Sequence, residues 1–496
     1  MGPRERIGAS DSISPPPARK QLELSRWAYK DLGVHRLTRV LSFCRTDRGE
    51  GLLSHRASYP FGDREQIIKI QDAVESIMKG PEMTNDSGFL AAIEGFRPAF
   101  EMWKKAYSDH LSDKMKSNAV YLNGLRIFLK ASIALSGALI RYSSDPLLNE
   151  LREIFSLSKL PTLQNYLRAL RSSRINLMGY SFTDKSYTLK TVEDGQEPDY
   201  TKHEEVASYM FNHFKEAGLK PVLDALAELD YCYSLAMAAK KYDLVRPEIV
   251  EDGRVQIKGG KHPVLLSWQI DPKSNENYWE DKTKKTVAVP NNTDITIDKN
   301  VLAITGPNTC GKTTYLTQLG LTVVMAQMGS FVPADGQERP VISIFDNIHT
   351  IFGAEDELGR ASSFQAEVEA LKKVLPDLTP RSLLLCDEIF RTTEPESASP
   401  LTYGTLSYLA PRVGVMAIAT HYISGLEELA RKLPGLQLLQ VIGKTVDGKF
   451  VPTYEIKPGV TKFDRYGIHV ANSLGLPAEI TGFGTETGGK KEEDPT

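Results

Sequence analysis

The sequence predicts an α/β domain built around a glycine-containing strand-to-helix loop and preceded by a mainly helical region. Three observations carry that reading. Apolar residues recur at helical spacing through the first half of the chain. Beyond Arg246-Pro247, short β-branched runs alternate with helical segments. Between one such run and a helical segment lies Gly306-Pro307-Asn308-Thr309-Cys310-Gly311-Lys312-Thr313, which fits G-x-x-x-x-G-K-[ST] without a mismatch.

The bulk properties bound these elements. At 496 residues the chain has room for about two to four domains, each with its own core. A composition of 41% hydrophobic and 25% charged residues is close to the globular average and excludes wholesale disorder or a collagen-like repeat. Sixty Lys and Arg oppose 63 Asp and Glu for a net charge of −3, so a nucleic-acid surface has to come from local patches. No apolar run reaches the roughly 18 residues of a membrane span, since the best stretch, 127–140, is broken by Lys130. No membrane partner is expected. Cys44, Cys232, Cys310 and Cys386 are too few for a disulfide framework, and no apolar leader opens the chain, so an intracellular setting is expected.

In chain order, residues 1–40 carry Pro15-Pro16-Pro17 in a polar setting, with eight Lys and Arg against four Asp and Glu, and are expected to be a flexible tail. Asp63 with Gln66 has the form of a capping box, and Ile67, Ile70, Val74 and Ile77 follow at helical spacing. The same period runs through Leu122, Leu125, Leu129 and Leu139, and again through Val222, Leu226, Leu229 and Met237. Residues 41–243 are therefore expected to form the helical domain, with Trp103, Tyr121 and Phe128 as packing aromatics. A short hairpin is expected over 175–192, where Tyr180, Phe182, Tyr187 and Leu189 stand among Thr and Ser. At the boundary, Ile249-Val250, a turn at Asp252-Gly253 and Val255 to Ile257 read as a β-hairpin. Runs 301–305, 341–345, 383–386 and 415–419 read as buried strands of one sheet in a second domain, 244–476. Residues 477–496, Gly- and Thr-rich and then charged, are expected to be a disordered tail.

The chemistry follows from where the loop sits. A strand before it and a helix from about Thr314 after it bring backbone N–H groups and a helix N-terminus onto anionic oxygens. On that geometry residues Gly306 through Thr314 bind ATP, Lys312 pairs with the β- and γ-phosphates, and the Thr313 hydroxyl ligates Mg²⁺. The run 383–386 ends in Asp387-Glu388, where Asp387 joins the Mg²⁺ shell and Glu388 polarises the attacking water. The run 415–419 leads to Thr420-His421, placing His421 to sense the γ-phosphate. His262, beside Pro263, reads equally as a structural turn or as a neighbour of the nucleotide. Cys310 and Cys386 read as small packed residues, and no Cys/His spacing points to zinc.

Taken in sequence, Thr305 to Asn308 with Gly311 to Tyr315, Gly329-Ser330-Phe331-Val332-Pro333-Ala334, Ile351-Phe352-Gly353-Ala354, Asp356-Glu357-Leu358, Asp387-Glu388-Ile389, Ala419-Thr420-His421-Tyr422 and Tyr466-Gly467-Ile468-His469-Val470-Ala471 resemble the ATPase domain of the MutS family of DNA mismatch-repair proteins. Gly260-Lys261-His262-Pro263-Val264 resembles the family's entry to that domain, and Asp63 to Glu65, Gln71 to Val74 and the helix near 226–239 resemble, more weakly, its helical core and levers. The resemblance implies an ABC-type ATPase with paired, head-to-tail nucleotide sites in a homodimer or a MutS-like heterodimer. In it Ser362, within Ala361-Ser362-Ser363-Phe364, reaches the partner's γ-phosphate. The same Ser362 with Gln365 reads as a helix N-cap. The implied partner is duplex DNA, mismatched or branched, gripped by levers that ATP hydrolysis gates, and the implied location is cytoplasmic or nucleoid-associated. The alternative is a MutS-like ATPase acting in recombination or regulation on a protein, RNA or branched-DNA partner. A third reading is a slow nucleotide switch.

Three departures from the family's pattern stand out. Phe390-Arg391-Thr392-Thr393-Glu394-Pro395 follows Ile389 where the family has a Gly-rich Thr-Ser stretch. Ala288 stands where the family has an aromatic before Pro-Asn. Some 240 residues precede the ATPase domain, so levers plus ATPase are expected without the N-terminal mismatch-reading domain, and no nuclease-like domain is expected after 476. Phe214-Lys215-Glu216 has the form of the family's wedge tripeptide but lies in a charged helical stretch, and reads as a chance match.

Overall fold

The computed structural model describes residues 21–80, 92–94, 131–156 except 133, 216–275, 286–353 except 308 and 309, 363–460 except 424, 447 and 448, and 476–481. The chain enters through a short strand, β1 (Glu23–Leu24), then helices α1 (Arg26–Asp31) and α2 (Val34–Leu41). The Ser25 hydroxyl caps α1 by accepting the Ala28 N–H at 3.0 Å. The tail expected over 1–40 is thus corrected for 21–40. Leu22, Ala28, Leu32, Val34 and Leu37 are buried while Arg26, Lys30, Arg36 and Arg39 face outward, and a charge count cannot see apolar positions spread over elements this short. Residues 1–20 lie outside the described residues.

Helix α3 (Asp47–Ser58) is capped by Thr46, and α4 (Arg64–Lys79) by Asp63, whose carboxylate accepts the Glu65 N–H at 2.8 Å. The helix expected from Asp63 is present. Helix α5 (Pro146–Phe155) and the 27-residue α6 (Glu216–Tyr242) follow, with α3, α4 and α5 packed on α6. Leu139, Val222, Leu226 and Leu229 are buried. The expected features at 122–129 and 175–192, the aromatics Trp103, Tyr121 and Phe128, and Phe214 and Lys215 of the tripeptide lie outside the described residues.

The chain then runs β2 (Glu248–Val250), β3 (Val255–Gly260), α7 (Pro263–Ile270), β4 (Asn291–Ile295), β5 (Val301–Thr305), α8 (Lys312–Gln327), β6 (Val341–Ser343), β7 (Asn347–Phe352), α9 (Ser363–Val374), β8 (Ser382–Asp387), α10 (Pro395–Leu409), β9 (Val415–Thr420), α11 (Leu426–Lys432), β10 (Leu436–Val446), β11 (Lys449–Pro458) and the single turn α12 (Ala478–Thr481). A seven-stranded sheet has the order β1-β7-β8-β9-β5-β10-β11, parallel except for the β10–β11 hairpin. A four-stranded sheet has the order β2-β6-β3-β4.

Two strand expectations are corrected. β2 and β3 do not pair as a hairpin, because β6 lies between them, parallel to β2 and antiparallel to β3. The Ser343 N–H bonds the Arg254 carbonyl at 2.8 Å and the Ile344 N–H bonds the Val250 carbonyl at 2.9 Å, so both edges of β6 are used. The run at 341–345 therefore belongs to the small sheet, and β7 supplies the main sheet. An apolar run announces burial and not its partner. The tail expected over 477–496 is corrected for α12, whose Thr481 is buried. No helix among the described residues is long and apolar enough to cross a membrane.

Candidate functional site

β5 is buried along its whole length between β9 and β10, so its C-terminal end opens at the middle of the parallel sheet. Sites of α/β sheets form at such strand ends. The chain leaves β5 through Gly306 (φ +154) and enters α8 through a left-handed Gly311 (φ +100). A Cβ at Gly306 would stand 3.0 Å from the Cys310 Sγ and one at Gly311 3.2 Å from the Tyr454 ring, so conformation and space both demand glycine. The Cys310 thiol is buried and contacts the Pro307 carbonyl at 2.7 Å, and burial raises its pKa, as it does that of Cys386. Both are packing residues.

The register of the parallel strands gathers the polar side chains. Asp387 lies opposite Ala419, and Thr305 opposite Thr420, so Glu388 and His421 emerge beside the loop. The Glu388 N–H bonds the Ala419 carbonyl at 3.0 Å and fixes the two strand ends together. The Thr313 hydroxyl, in the first turn of α8, donates to the Asp387 Oδ2 at 2.6 Å. Lys312 is buried, with its Nζ donating to the Gly306 and Pro307 carbonyls at 2.9 and 3.0 Å and lying 3.3 Å from the Glu388 Oε1. The His421 Nε2 is 2.6 Å from that same oxygen.

The two acids differ in kind. The hydrogen bond from His421, together with the His421 and Lys312 charges, holds the Glu388 carboxyl down at about 2. Burial pushes the Asp387 carboxyl up, and its Oδ1 is buried without a hydrogen-bond partner. An orphaned carboxylate oxygen beside a threonine hydroxyl is the chemistry of a hard divalent cation site. No group of three or more His, Cys, Asp or Glu side chains placed to hold a metal ion by themselves occurs among the described residues.

Beyond the acids, Glu388 (φ +55) and Phe390 (φ +62) both adopt left-handed backbone, and the buried Phe390 ring packs on Phe364 of α9 with centroids 6.2 Å apart. The altered stretch after Ile389 is therefore anchored to α9 by an aromatic pair. Ser362, Asn308 and Thr309 lie outside the described residues.

A cavity of about 280 Å³ adjoins Gly311 and Thr314, with Ala288, Val289, Leu265 and Tyr454 among its walls. His262 lines it too. Its Nδ1 accepts the Leu265 N–H to cap α7 and its Nε2 lies 3.1 Å from the Thr317 hydroxyl, while burial pushes its pKa down to about 4. His262 thus caps α7 as a neutral side chain and lines the cavity wall. Tyr454 was not anticipated. The one signal for it is Pro452, since proline inside a strand marks an edge or a bulge.

A family model for MutS domain V matches residues 302–487, a span that holds Lys312, Thr313, Asp387, Glu388 and His421. Through this domain the chain is related to the MutS family. Proteins named DNA mismatch repair protein MutS are similar to it. The one from Thermus caldophilus is 28% identical over 472 residues, 93% of this chain and 51% of the relative. Those from Shouchella clausii and Thermus thermophilus are 35% identical over 267 residues and 36% over 268, covering 53% and 54% of this chain but 28% and 30% of the relatives. The chain spans about half or less of the length of the curated relatives it matches.

Proposed function

We propose that the chain is a Mg²⁺-dependent ATPase of the MutS type, in which nucleotide state gates a dimer that grips duplex DNA. The observation that carries the reading is the joint placement of Thr313 with Asp387, and of Lys312 with Glu388 and His421, at the C-terminal ends of neighbouring parallel strands. The backbone N–H groups of the loop and of α8 receive the phosphate oxygens. Lys312 exchanges the Gly306 and Pro307 carbonyls for the β- and γ-phosphates. Thr313 and the orphaned Oδ1 of Asp387 hold Mg²⁺, which when bound neutralises charge on those phosphates. Glu388, ionised at any physiological pH, accepts a hydrogen bond from the attacking water and orients it, with His421 holding the carboxylate in place. The nucleoside occupies the cavity beside Gly311, against Tyr454. Ser362 serves the partner's site in the dimer.

The test is phosphate release by the wild-type chain and Glu388→Gln with MgATP. The wild type is expected to turn over, and the variant to bind ATP but hydrolyse it at least about 100-fold more slowly. Phosphate release at background by both overturns hydrolysis in favour of a nucleotide switch, and equal rates above background overturn the role of Glu388. The DNA partner is tested by binding to plain, mismatched and branched duplexes across a salt series. Affinity that falls steeply with salt supports phosphate contacts, and no binding to any duplex favours the protein or RNA partner.

A further inference from the structure

The β10–β11 hairpin is interrupted beside the site. Val441 lies opposite Ile456 and Gly443 opposite Pro452, so residues 453–455 face Ile442 alone. A bulge of this kind leaves backbone groups without ladder partners and re-aims a side chain. Tyr454, at its centre, is left-handed (φ +60), a conformation that a non-glycine residue keeps only where its surroundings impose it.

Asn291 supplies that constraint from the other sheet. It opens β4 directly after Pro290 and is almost fully buried. Its Nδ2 donates to the Tyr454 carbonyl at 3.0 Å and its Oδ1 accepts the Ile456 N–H at 2.7 Å. One carboxamide thus replaces the missing strand partner on both sides of residue 455. The Tyr454 ring is half exposed and lies against Gly311 at the cavity. Ala288, two positions before Pro290, leaves the wall without a ring at that position.

We infer that Asn291 is the positioning residue for the base end of the nucleotide site, holding the Tyr454 ring where a nucleoside base stacks on it. The inference rests on the nucleotide-site reading above. It requires Asn291 to contribute to affinity for the nucleoside and not to affinity for the phosphates, and to do so only through Tyr454.

Calorimetric titration of the full chain with MgATP and with magnesium tripolyphosphate tests this in the wild type, Asn291→Ala, Asn291→Asp, Tyr454→Ala and the Asn291→Ala/Tyr454→Ala double variant. Losing a stacked base weakens binding about tenfold or more. Both Asn291 variants are expected to lose that much affinity for MgATP and to stay within about twofold of the wild type for tripolyphosphate. The double variant is expected to match Tyr454→Ala. Asn291→Asp keeps the acceptor for the Ile456 N–H but sets a charged oxygen against the Tyr454 carbonyl, so it reports on the ring with half of the strap intact. Unchanged MgATP affinity in the Asn291 variants, an equal loss for tripolyphosphate, or losses that multiply in the double variant would overturn the inference while leaving the nucleotide site standing. Failure of the wild type to bind MgATP overturns the site itself.

Discussion

Burial raises the Asp387 carboxyl, and only one of its oxygens finds a donor, the Thr313 hydroxyl. A folded-state pKa above the unfolded value means that stability is fully present at low pH and is lost as pH rises through the folded value. At neutral pH the ionised carboxylate therefore weighs against the fold until a cation joins it. Asp387→Asn, which keeps an acceptor for Thr313, is expected to raise the thermal midpoint at pH 7, by about 1 °C per kcal/mol for a chain of 496 residues. The gap should close below about pH 4, and Mg²⁺-dependent ATP affinity should fall at least about tenfold. Thermal scans across pH and titrations with and without Mg²⁺ check both. Glu388 has the opposite sign. Held down at about 2, it stabilises the fold above the ordinary glutamate range and loses that contribution as pH falls towards 2. Glu388→Gln is accordingly expected to lower the midpoint at pH 7 and to converge with the wild type between about pH 4 and 2. Lys312, Thr313, Asp387, Glu388 and His421 were legible in the sequence because each sits at a strand end or loop that announces itself locally. Tyr454 was not, because the residue that aims it, Asn291, is 163 positions away.

Helix α8 is buried on nearly every side, with the glycine-lined loop at its N-terminus and Gln327 at its C-terminus. The Gln327 side chain is fully buried, donating to the Phe61 carbonyl at 2.8 Å and the Phe345 carbonyl at 3.0 Å and accepting the Phe345 N–H at 3.0 Å. Its own carbonyl accepts the Phe61 N–H at 2.9 Å. One side chain thus ties the loop helix to the turn before α4 and to the β6–β7 connection. Gln327→Leu leaves three buried backbone groups without that partner and is expected to cost about 2–4 kcal/mol, read as a lower urea midpoint at unchanged slope. Helices and buried strands were legible as elements, since periods of 3.6 and apolar β-branched runs follow directly from how side chains leave the backbone. Pairing was not. The turn at Asp252-Gly253 has the chemistry of a hairpin, yet β6 enters between its two arms from some ninety residues downstream, joined there by the Gly253 N–H to the Ser343 hydroxyl at 2.9 Å.

The larger of two apolar cores among the described residues runs from Leu37, Leu53 and Ile67 through Tyr231 and Leu235 to Leu316, Leu385 and Ala417, so the helical part and the α/β part are not packed as separate bodies. Further ties cross the expected boundary at 244. Arg246 pairs with Asp72 and Glu75 on α4, the Arg64 Nε donates to the Ile249 carbonyl at 2.8 Å, and the Tyr231 hydroxyl donates to the Met328 carbonyl. Arg56 stacks on Tyr231 and forks onto Glu228 at 2.9 and 2.6 Å, closing α3 onto α6 around the same helix end. A rod gripped at its far end by the helices passes a displacement at its N-terminus to them with little hinge between. Two outcomes follow. Residues 244–496 expressed alone expose the far end of α8 and are expected to be insoluble or to melt far below the whole chain, whereas a soluble fragment melting within a few degrees of it would refute the shared core. In the whole chain, MgATP bound at the loop is expected to slow amide exchange at Phe61 and in the half of α6 that carries Tyr231, because opening there also releases the helix that holds the nucleotide. Protection confined to the loop and the strand ends would mean that the two parts open independently despite their contacts.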